Sequence, residues 1–297
     1  MQLSILIPTY NYDCTYLVHQ LLEQLPDEAE IVIGDDCSTD ESITSKLFEV
    51  GNLPQCRTFR PSHNLGRAAI RNLIAQEAKG EWLLFIDADA GVRSQTFISE
   101  YMEAAKHALV VCGGTGNLLQ CPRPAARLRY DYEVKVEKIL TLSRRQKHPY
   151  AQFRTFNFLI QRELFLSIGF DGSLKEYGHE DTLFGLELKR RGITILHIDN
   201  KLINLDYEDA DVFLEKSETA LRVLAGMEYE QRQNVRVSAF ALRLKRWHLL
   251  GLMRFLFRTS KSLLRSNLLG RHPSQLLFTF YKLGYYSNVI PRELPPT

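Results

Sequence analysis

The chain has 297 residues, of which 45% are hydrophobic and 24% are charged, and its formal net charge is +2. This composition is typical of a globular protein, and the length suffices for one large domain or two smaller ones. We expect neither a transmembrane helix nor a signal peptide, because there is no run of about eighteen apolar residues and no basic stretch with a cleavage site at residues 1–8. The five cysteines show no C-x-x-C spacing, which favours reduced thiols in a cytoplasmic protein over a disulfide framework or a zinc site.

Short apolar runs alternate with helically spaced apolar residues through the first part of the chain. Strands are predicted at 3–7, 30–33, 57–59, 82–86 and 108–112, and helices at 16–25, 42–50, 66–79 and 96–107. This alternation predicts an α/β fold with a parallel sheet. In such sheets ligands bind at the carboxyl ends of the strands.

Polar clusters follow three of these predicted strands: residues 8–11, the pair Asp35-Asp36, and Asp87-Ala88-Asp89. Asp87 and Asp89 are two residues apart, so on an extended chain they point to the same side. Close like charges repel unless a cation lies between them, and a divalent metal carrying a diphosphate is one such cation. The alternative is an ordinary Asp-rich turn at a strand end.

The second half of the chain is more basic. Residues 122–155 are rich in arginine and surround a predicted helix at 128–142; they form either a solvated connection or a mobile flap over a phosphate ligand. A strand at 156–160, a helix at 181–191, a strand at 193–198 and a helix at 212–226 follow.

The carboxyl-terminal segment has a one-sided charge. No acidic residue occurs from 231 to 292, a stretch that contains Arg232, Arg236, Arg243, Lys245, Arg246, Arg254, Arg258, Lys261, Arg265, Arg271, Lys282 and Arg292. Residues 229–257 mix these with Trp and Phe, a pattern typical of helices that lie on anionic membranes. The alternative is a helical cap whose basic face is solvated. Nucleic acid is disfavoured as a partner, because no recognised binding module is visible.

Five ordered motifs resemble the family 2 glycosyltransferases, which have a GT-A fold. Residues 3–11 resemble the opening strand and its nucleotide-contacting turn, residues 31–40 the V-x-D-D-x-S-x-D element, and residues 64–72 the N-x-G-x-x-x-A-R-N element. Residues 87–89 are then the D-x-D motif, and residues 178–181, preceded by 169–171, resemble the G-x-E-D acceptor motif of galactosyltransferase-type and chondroitin-polymerase-type enzymes. The resemblance covers residues 3–205.

The resemblance implies a mixed sheet flanked by helices and a donor site for a nucleotide-diphospho-sugar. It makes Asp89 a ligand of Mn²⁺ or Mg²⁺ and places Asp87 near the ribose and the metal. The other residues that it assigns to the nucleotide are Pro8, Tyr10, Asn11, Asp36, Arg67 and Arg71. Of these, Asp36 accepts from the nucleobase, and Pro8 and Tyr10 line its pocket. For Arg71, a structural ion pair with the Asp35 region is an almost equal alternative.

The same resemblance makes Asp181 the base of an inverting transfer and Glu180 a holder of the acceptor hydroxyl. Asp181 also fits a charge at a helix N-terminus. Asn204 stands where related enzymes often place a metal-binding His; it is a weaker ligand for Mn²⁺, so Mg²⁺ suffices. His197 is interpreted as a packed side chain, and His179 as an acceptor contact.

These interpretations give a GT-A catalytic domain at residues 1–208, with a nucleotide-sugar half at about 1–115 and an acceptor half at about 116–208. A basic helical extension covers 209–297. The expected function is inverting transfer from a nucleotide-diphospho-sugar, with UDP-sugar favoured, to a saccharide or lipid-linked saccharide, in surface polysaccharide or glycolipid synthesis at the inner face of a membrane. The alternatives are a nucleotide-sugar-binding protein without turnover and a nucleotidyltransferase.

Overall fold

The computed structural model describes residues 2–172 and 178–291 and divides them into two compact units. The described parts of 1–118, 137–175 and 180–206 form the first, called the sheet unit. The described parts of 119–136, 176–179 and 207–297 form the second, called the helical unit. Arg292 of the basic segment lies outside the described residues.

Seven strands of the sheet unit's described residues form one sheet, in the order β3-β2-β1-β4-β8-β6-β9. They are β1 (Leu3–Thr9), β2 (Glu30–Asp35), β3 (Cys56–Phe59), β4 (Trp82–Ile86), β6 (Val110–Cys112), β8 (Asn157–Gln161) and β9 (Ile195–His197). The alternation of strands and helices is explained by buried apolar runs. Side chains of β1 and β4 alternate between two cores, with Ile5 and Leu84 on one face and Leu6 and Phe85 on the other.

The sheet is mixed, so the all-parallel arrangement predicted from the alternation is wrong, while the mixed sheet implied by the resemblance is present. β8 runs antiparallel to both β4 and β6. The chain enters β8 at the edge where those two strands end, because Asn157 is in register with Ile86 and Phe158 with Cys112. From that edge the strand must run back across the sheet.

A second, three-stranded sheet has the order β5-β10-β7. Its strands are β5 (Ala90–Gly91), β7 (Thr115–Gly116) and β10 (Leu202–Asn204). These short strands were not predicted from the sequence. β10 is antiparallel to β5, with Asn204 opposite Ala90. This pairing brings residues 204–206 beside the turn that contains Asp89.

Helices connect the strands of the sheet unit: α1 (Thr15–Leu22), α2 (Glu41–Gly51), α3 (Arg67–Glu77), α4 (Phe97–Ala104), α6 (Leu142–Lys147), α7 (Arg162–Ile168) and α8 (Glu180–Arg190). Their starts follow local chemistry. Asp40 accepts from the backbone N–H of Ser42 at 2.9 Å and so caps α2. α3 begins after Gly66, whose φ of 87° suits glycine. Most lie within a few residues of their predicted bounds, but α6 and α7 were not predicted.

The helical unit has its own apolar cores. Its helices are α9 (Ala210–Gly226), α10 (Tyr229–Arg232), α11 (Arg236–Arg246), α12 (Leu250–Leu268) and α13 (Gln275–Val289), and α5 (Arg127–Ile139) begins in this unit. Phe213, Phe257 and Phe278 share one buried cluster. The amphipathic segment predicted at 229–257 is divided into α10, α11 and the start of α12. No helix among the described residues is both long and apolar enough to cross a membrane.

Candidate donor and acceptor site

The predicted polar turns meet where β1 and β4 stop pairing. β1 stays in register with β2 as far as Thr9 opposite Asp35, but its pairing with β4 ends at Leu6. Pro8 is a buried residue inside β1, so the strand is longer than predicted. Proline has no backbone N–H to donate, and Pro8 lies beyond the last residue of β1 that pairs with β4, so no hydrogen bond to β4 is lost. The end of β1 is therefore free to turn toward a ligand.

Asn11 joins the turn after β1 to the turn after β2. Its backbone N–H donates to Ser38 Oγ at 2.8 Å, and its Oδ1 accepts from the N–H of Thr39 at 2.8 Å. Asn11 and Cys37 both adopt left-handed backbone, with φ of 50° and 63°, which is costly for residues other than glycine. Tyr10 is left 49% exposed. The turns are thus preorganised around a free tyrosine ring.

The two aspartates after β2 have different partners. Asp35 forms an ion pair with Arg60 at 2.7 Å. The ion pair between Arg71 and the Asp35 region, which was the alternative expected for Arg71, is therefore not formed. Asp36 accepts from the backbone N–H groups of Leu65 and Gly66 at 2.7 and 2.9 Å. Burial raises the pKa of Asp36 in spite of these bonds. Asp36 therefore fixes the loop that leads into α3, and its proposed contact to a nucleobase stays a prediction.

Two arginines of α3 reach the D-x-D turn. Arg71, which is buried, donates to Asp87 Oδ1. Arg67, one turn earlier and 47% exposed, approaches Asp87 Oδ2 at 3.4 Å and Glu180 Oε1 at 3.2 Å. The alternative of a structural ion pair for Arg71 is thus realised, but with Asp87. One guanidinium therefore links the predicted donor-site and acceptor-site carboxylates, although they are far apart in sequence.

Asn72, the last residue of the N-x-G-x-x-x-A-R-N element, also connects distant motifs. Its Oδ1 accepts from the N–H of Phe170 at 2.8 Å, and its Nδ2 donates to the carbonyl of Phe170 at 2.9 Å. No separate role for Asn72 was predicted from the sequence. Residues 173–177, between this contact and the G-x-E-D motif, lie outside the described residues. His179 has a φ of 69°.

Negative charge accumulates around Asp89. Burial and, next, the charge of Asp87 raise the pKa of Asp89 to about 7, with a smaller contribution from Asp206 and an opposing one from Arg67. The same two carboxylates, Asp89 and Asp206, add to burial in raising the pKa of Tyr12 to about 12. Asp206 and Tyr12 were missed by sequence reasoning, since only the pairing of β10 with β5 brings Asp206 here.

These oxygen donors fit a hard divalent cation that is shared with a ligand. Asn204 is buried, and its Oδ1 accepts from the N–H of Asp206 at 3.2 Å. Within residues 2–172 and 178–291, no three His, Cys, Asp or Glu side chains cluster closely enough to hold a metal by themselves. Mg²⁺ characteristically takes one or two carboxylates and completes its coordination with substrate phosphates and water. The donor set suits that kind of site.

The acidic pair at the start of α8 occupies its first turn. Asp181 Oδ1 accepts from the N–H of Thr182 at 2.7 Å, and its Oδ2 lies 3.9 Å from the guanidinium of Arg154. Asp181 thus lies at the helix N-terminus, where its alternative role is a negative charge on the helix dipole. It also remains partly exposed, with 24% of its side-chain surface accessible.

His197 is a packed side chain, as the sequence analysis expected. Its Nε2 lies 3.0 Å from the carbonyl of Pro149, and Arg145 donates to its Nδ1 at 3.3 Å. Arg145 is buried and also donates to the carbonyl of Ile198 at 2.9 Å. Burial lowers the pKa of His197 to about 4. Because Arg145 binds backbone carbonyls, it has no place in a phosphate-binding flap.

Comparisons with known proteins agree with this fold. The family model "Glycosyl transferase family 2" matches residues 4–170. An uncharacterized glycosyltransferase of Haemophilus influenzae is 27% identical over 188 residues, which cover 62% of this chain and 70% of the relative. The poly(ribitol-phosphate) beta-N-acetylglucosaminyltransferase TarS of Staphylococcus aureus is 35% identical over 102 residues, 32% of this chain and 18% of TarS. Other curated relatives are likewise matched over less than a third of their length.

Two solved structures resemble the chain over 97% of its length. The mannosyltransferase PcManGT of Pyrobaculum calidifontis, solved with GDP-Man and Mn²⁺, has a TM-score of 0.59 at 16% identity, over 85% of its chain. A crystallised part of S. aureus TarS has a TM-score of 0.52 at 20% identity, over 90% of its chain. The likeness confirms the GT-A fold, and the match to the family model, which spans more than half of the residues, shows that the chain belongs to glycosyl transferase family 2.

Proposed function

We propose that this protein transfers a sugar from a nucleotide-diphospho-sugar to a hydroxyl group, with inversion at the anomeric carbon. The observation that carries the proposal is the position of Arg67. Its guanidinium lies 3.4 Å from Asp87 and 3.2 Å from Glu180. The motif assigned to the donor and the motif assigned to the acceptor therefore contact the same arginine side chain. A transferase needs its donor-binding and acceptor-binding residues within one reaction site.

The donor end is assigned to Asp87, Asp89 and the residues around them. A divalent cation, Mn²⁺ or Mg²⁺, would neutralise the charge that develops on the leaving diphosphate. Asp89 would be the main protein ligand of this cation. Asn204, the other expected ligand, accepts from the backbone N–H of Asp206 through its Oδ1 at 3.2 Å, and that oxygen keeps a second lone pair for the metal. Arg71 holds Asp87 in place from its buried position.

The acceptor end is assigned to Glu180 and Asp181. The acceptor oxygen forms a bond to the anomeric carbon while the bond from that carbon to the diphosphate oxygen breaks, and the electron pair leaves with the diphosphate. The hydroxyl proton passes to a carboxylate oxygen of Asp181, which acts as general base. Glu180, fixed by Arg67 at 3.2 Å, accepts a hydrogen bond from an acceptor hydroxyl.

A UDP-sugar is the proposed donor, and a saccharide or lipid-linked saccharide the proposed acceptor. Support comes from the similar TarS fold, which has been solved with UDP-GlcNAc, although PcManGT was solved with GDP-Man. The exposed ring of Tyr10 offers a stacking surface for the base, next to Pro8 and Asn11. Residues 1–208 are proposed as the catalytic domain and 209–297 as an extension, with surface polysaccharide or glycolipid as the product.

The test compares Asp89→Asn and Asp181→Asn with the exposed control Asp27→Asn. Release of nucleoside diphosphate is measured with a panel of nucleotide sugars and Mn²⁺ or Mg²⁺, and donor and metal binding are measured by calorimetry. Asp89→Asn should lose metal-dependent donor binding. Asp181→Asn should bind the donor normally and turn over roughly 10²- to 10⁴-fold more slowly. Full turnover by either variant contradicts the proposal, and donor binding without turnover by the wild-type protein favours a non-catalytic binding protein.

A further inference from the structure

Large exposed apolar side chains concentrate on α11, α12 and the turn between them. They are Phe240, Trp247, Leu249, Leu252, Phe255, Leu256 and Leu263, and each is at least 43% exposed. These seven lie within 24 residues, whereas the remaining exposed large apolar residues are scattered along the chain. Single exposed apolar residues are ordinary on a protein surface, but a concentration of them marks a binding surface.

Helix α12 has two apolar faces. Phe257, Leu264 and Leu268 belong to an apolar core of the helical unit, and Met253 is buried on the same side of the helix. Leu252, Phe255, Leu256 and Leu263 follow the spacing of the other side of the helix and are 53%, 63%, 43% and 76% exposed. One apolar face is enough to hold a surface helix on its core, so the second face needs another explanation.

Helix α11 and its C-cap combine aromatic and basic side chains on one exposed face. Arg236, Phe240, Arg243 and Trp247 are spaced by four, three and four residues, and all four are exposed. Arg246 is exposed beside Trp247. No acidic residue of the sequence lies between 231 and 292.

Some of the other basic residues serve the fold. On α12, Arg254 Nε donates to the carbonyl of Ser287 at 2.7 Å, and Arg258 Nε donates to Asn288 Oδ1 at 2.9 Å. They attach α12 to α13. The basic residues therefore fall into two groups. Arg254 and Arg258 bind α13, whereas the arginines of α11 lie beside the exposed aromatic residues.

We propose that α11, the turn after it and the outer face of α12 lie on an anionic lipid bilayer, parallel to its surface. Leu252, Phe255, Leu256 and Leu263 enter the boundary between headgroups and acyl chains. Trp247 and the arginines of α11 occupy the headgroup level, where aromatic rings and guanidinium groups find both apolar and polar surroundings. Anionic headgroups complement the basic residues of this segment, which has no acidic residue between 231 and 292.

The experiment measures binding of the full chain to vesicles of phosphatidylcholine alone and of phosphatidylcholine with phosphatidylglycerol. The variant Phe255→Ser/Leu256→Ser removes apolar contacts, and Arg243→Gln/Arg246→Gln removes charge. Leu276→Ser is the matched control, because Leu276 is 77% exposed on α13 of the same unit. Co-sedimentation with anionic vesicles should fall about tenfold or more in both double variants and stay unchanged in the control.

The fluorescence of Trp247 supplies a second readout that does not depend on catalysis. Trp247 is 62% exposed, whereas the other tryptophan, Trp82, is 8% exposed. Anionic vesicles should shift the emission to the blue and allow brominated lipids to quench it, and Trp247→Phe should abolish both effects. Equal binding to neutral vesicles overturns the proposal, as does unchanged binding by both double variants. Self-association that Phe255→Ser/Leu256→Ser abolishes, without vesicle binding by the wild type, also overturns it.

Discussion

Arg71 and Asp87 form an ion pair in which the arginine is almost completely buried, with 3% of its side chain exposed, while the aspartate keeps 18%. Arg71 also donates to the backbone carbonyl of Arg67 at 2.9 Å. The guanidinium therefore joins the first turn of α3 to the turn after β4. The first aspartate of the D-x-D motif is held by the protein before any ligand binds.

The first prediction separates the two arginines of α3. Arg71→Met should lower the free energy of unfolding by about 3 kcal/mol, because it leaves Asp87 without its buried partner. Arg67→Met should change it by less than about 0.5 kcal/mol, since an exposed ion pair contributes little, yet it should reduce turnover. Urea unfolding and nucleotide release measure the two effects. Equal destabilisation by both variants would contradict the assigned division between structure and site.

The second prediction concerns Asp36. Its two carboxylate oxygens accept from two adjacent backbone N–H groups, at 2.7 and 2.9 Å. In Asp36→Asn, one carboxylate oxygen is replaced by an NH₂ group that faces a backbone N–H donor. We therefore expect the free energy of unfolding to fall by about 1–3 kcal/mol. Amide hydrogen exchange at Leu65 and Gly66 should become faster. The exposed control Asp27→Asn should leave both amides as they are, and protection unchanged in Asp36→Asn would refute the structural role.

The third prediction is an acid-sensitive contribution of His197. Its pKa is lowered from 6.5 to about 4 in the folded protein by burial, so the unfolded chain binds the proton more readily. The contribution of neutral His197 to the free energy of unfolding is fully present above about pH 6.5. It is lost as the pH falls toward 4, where the free energy of unfolding is lower by about 3 kcal/mol.

The measurement for His197 is urea unfolding between pH 7 and pH 4. His197→Gln should be less stable at neutral pH but should lose less stability on acidification than the wild type. His107→Gln, a change at an exposed position, should keep the wild-type pH dependence. If the variant at 197 and the wild type lose stability in parallel, His197 is not the group responsible.

The fourth prediction tests the packing of α12 on α13. A Cβ atom built at Gly284 lies only 2.4 Å from a ring carbon of Phe257. Gly284→Ala should therefore destabilise by about 1–3 kcal/mol, even though alanine favours a helix. Gly251→Ala is the control, because its added Cβ meets no atom within 4 Å, and it should be neutral or slightly stabilising. Thermal unfolding checks both, and equal stability of the two variants would contradict the close approach of Gly284 to Phe257.

Much of the fold was predictable because its elements are encoded locally. The strand at 82–86 has the predicted bounds, since a short apolar run ends where Asp87 begins. The direction of β8 was not predictable from its own residues, because an apolar run has the same pattern in either direction. The direction depends on the edge from which the preceding segment enters the sheet.

The site shows the same division. Asp36, Asp87 and Asp89 were identified from motif spacing, and the sequence by itself determined that they follow strand ends, while Arg67 and Arg71 belong to the helix after Gly66. Only the tertiary structure decided their partners: Arg71 with Asp87, Arg60 with Asp35, Asp206 near Asp89. Local periodicity fixes the face and the element of a residue, whereas an ion pair depends on distant segments whose approach is set by sheet order and register. The sequence therefore determined which chemistry is present, and the tertiary structure decided which groups act together.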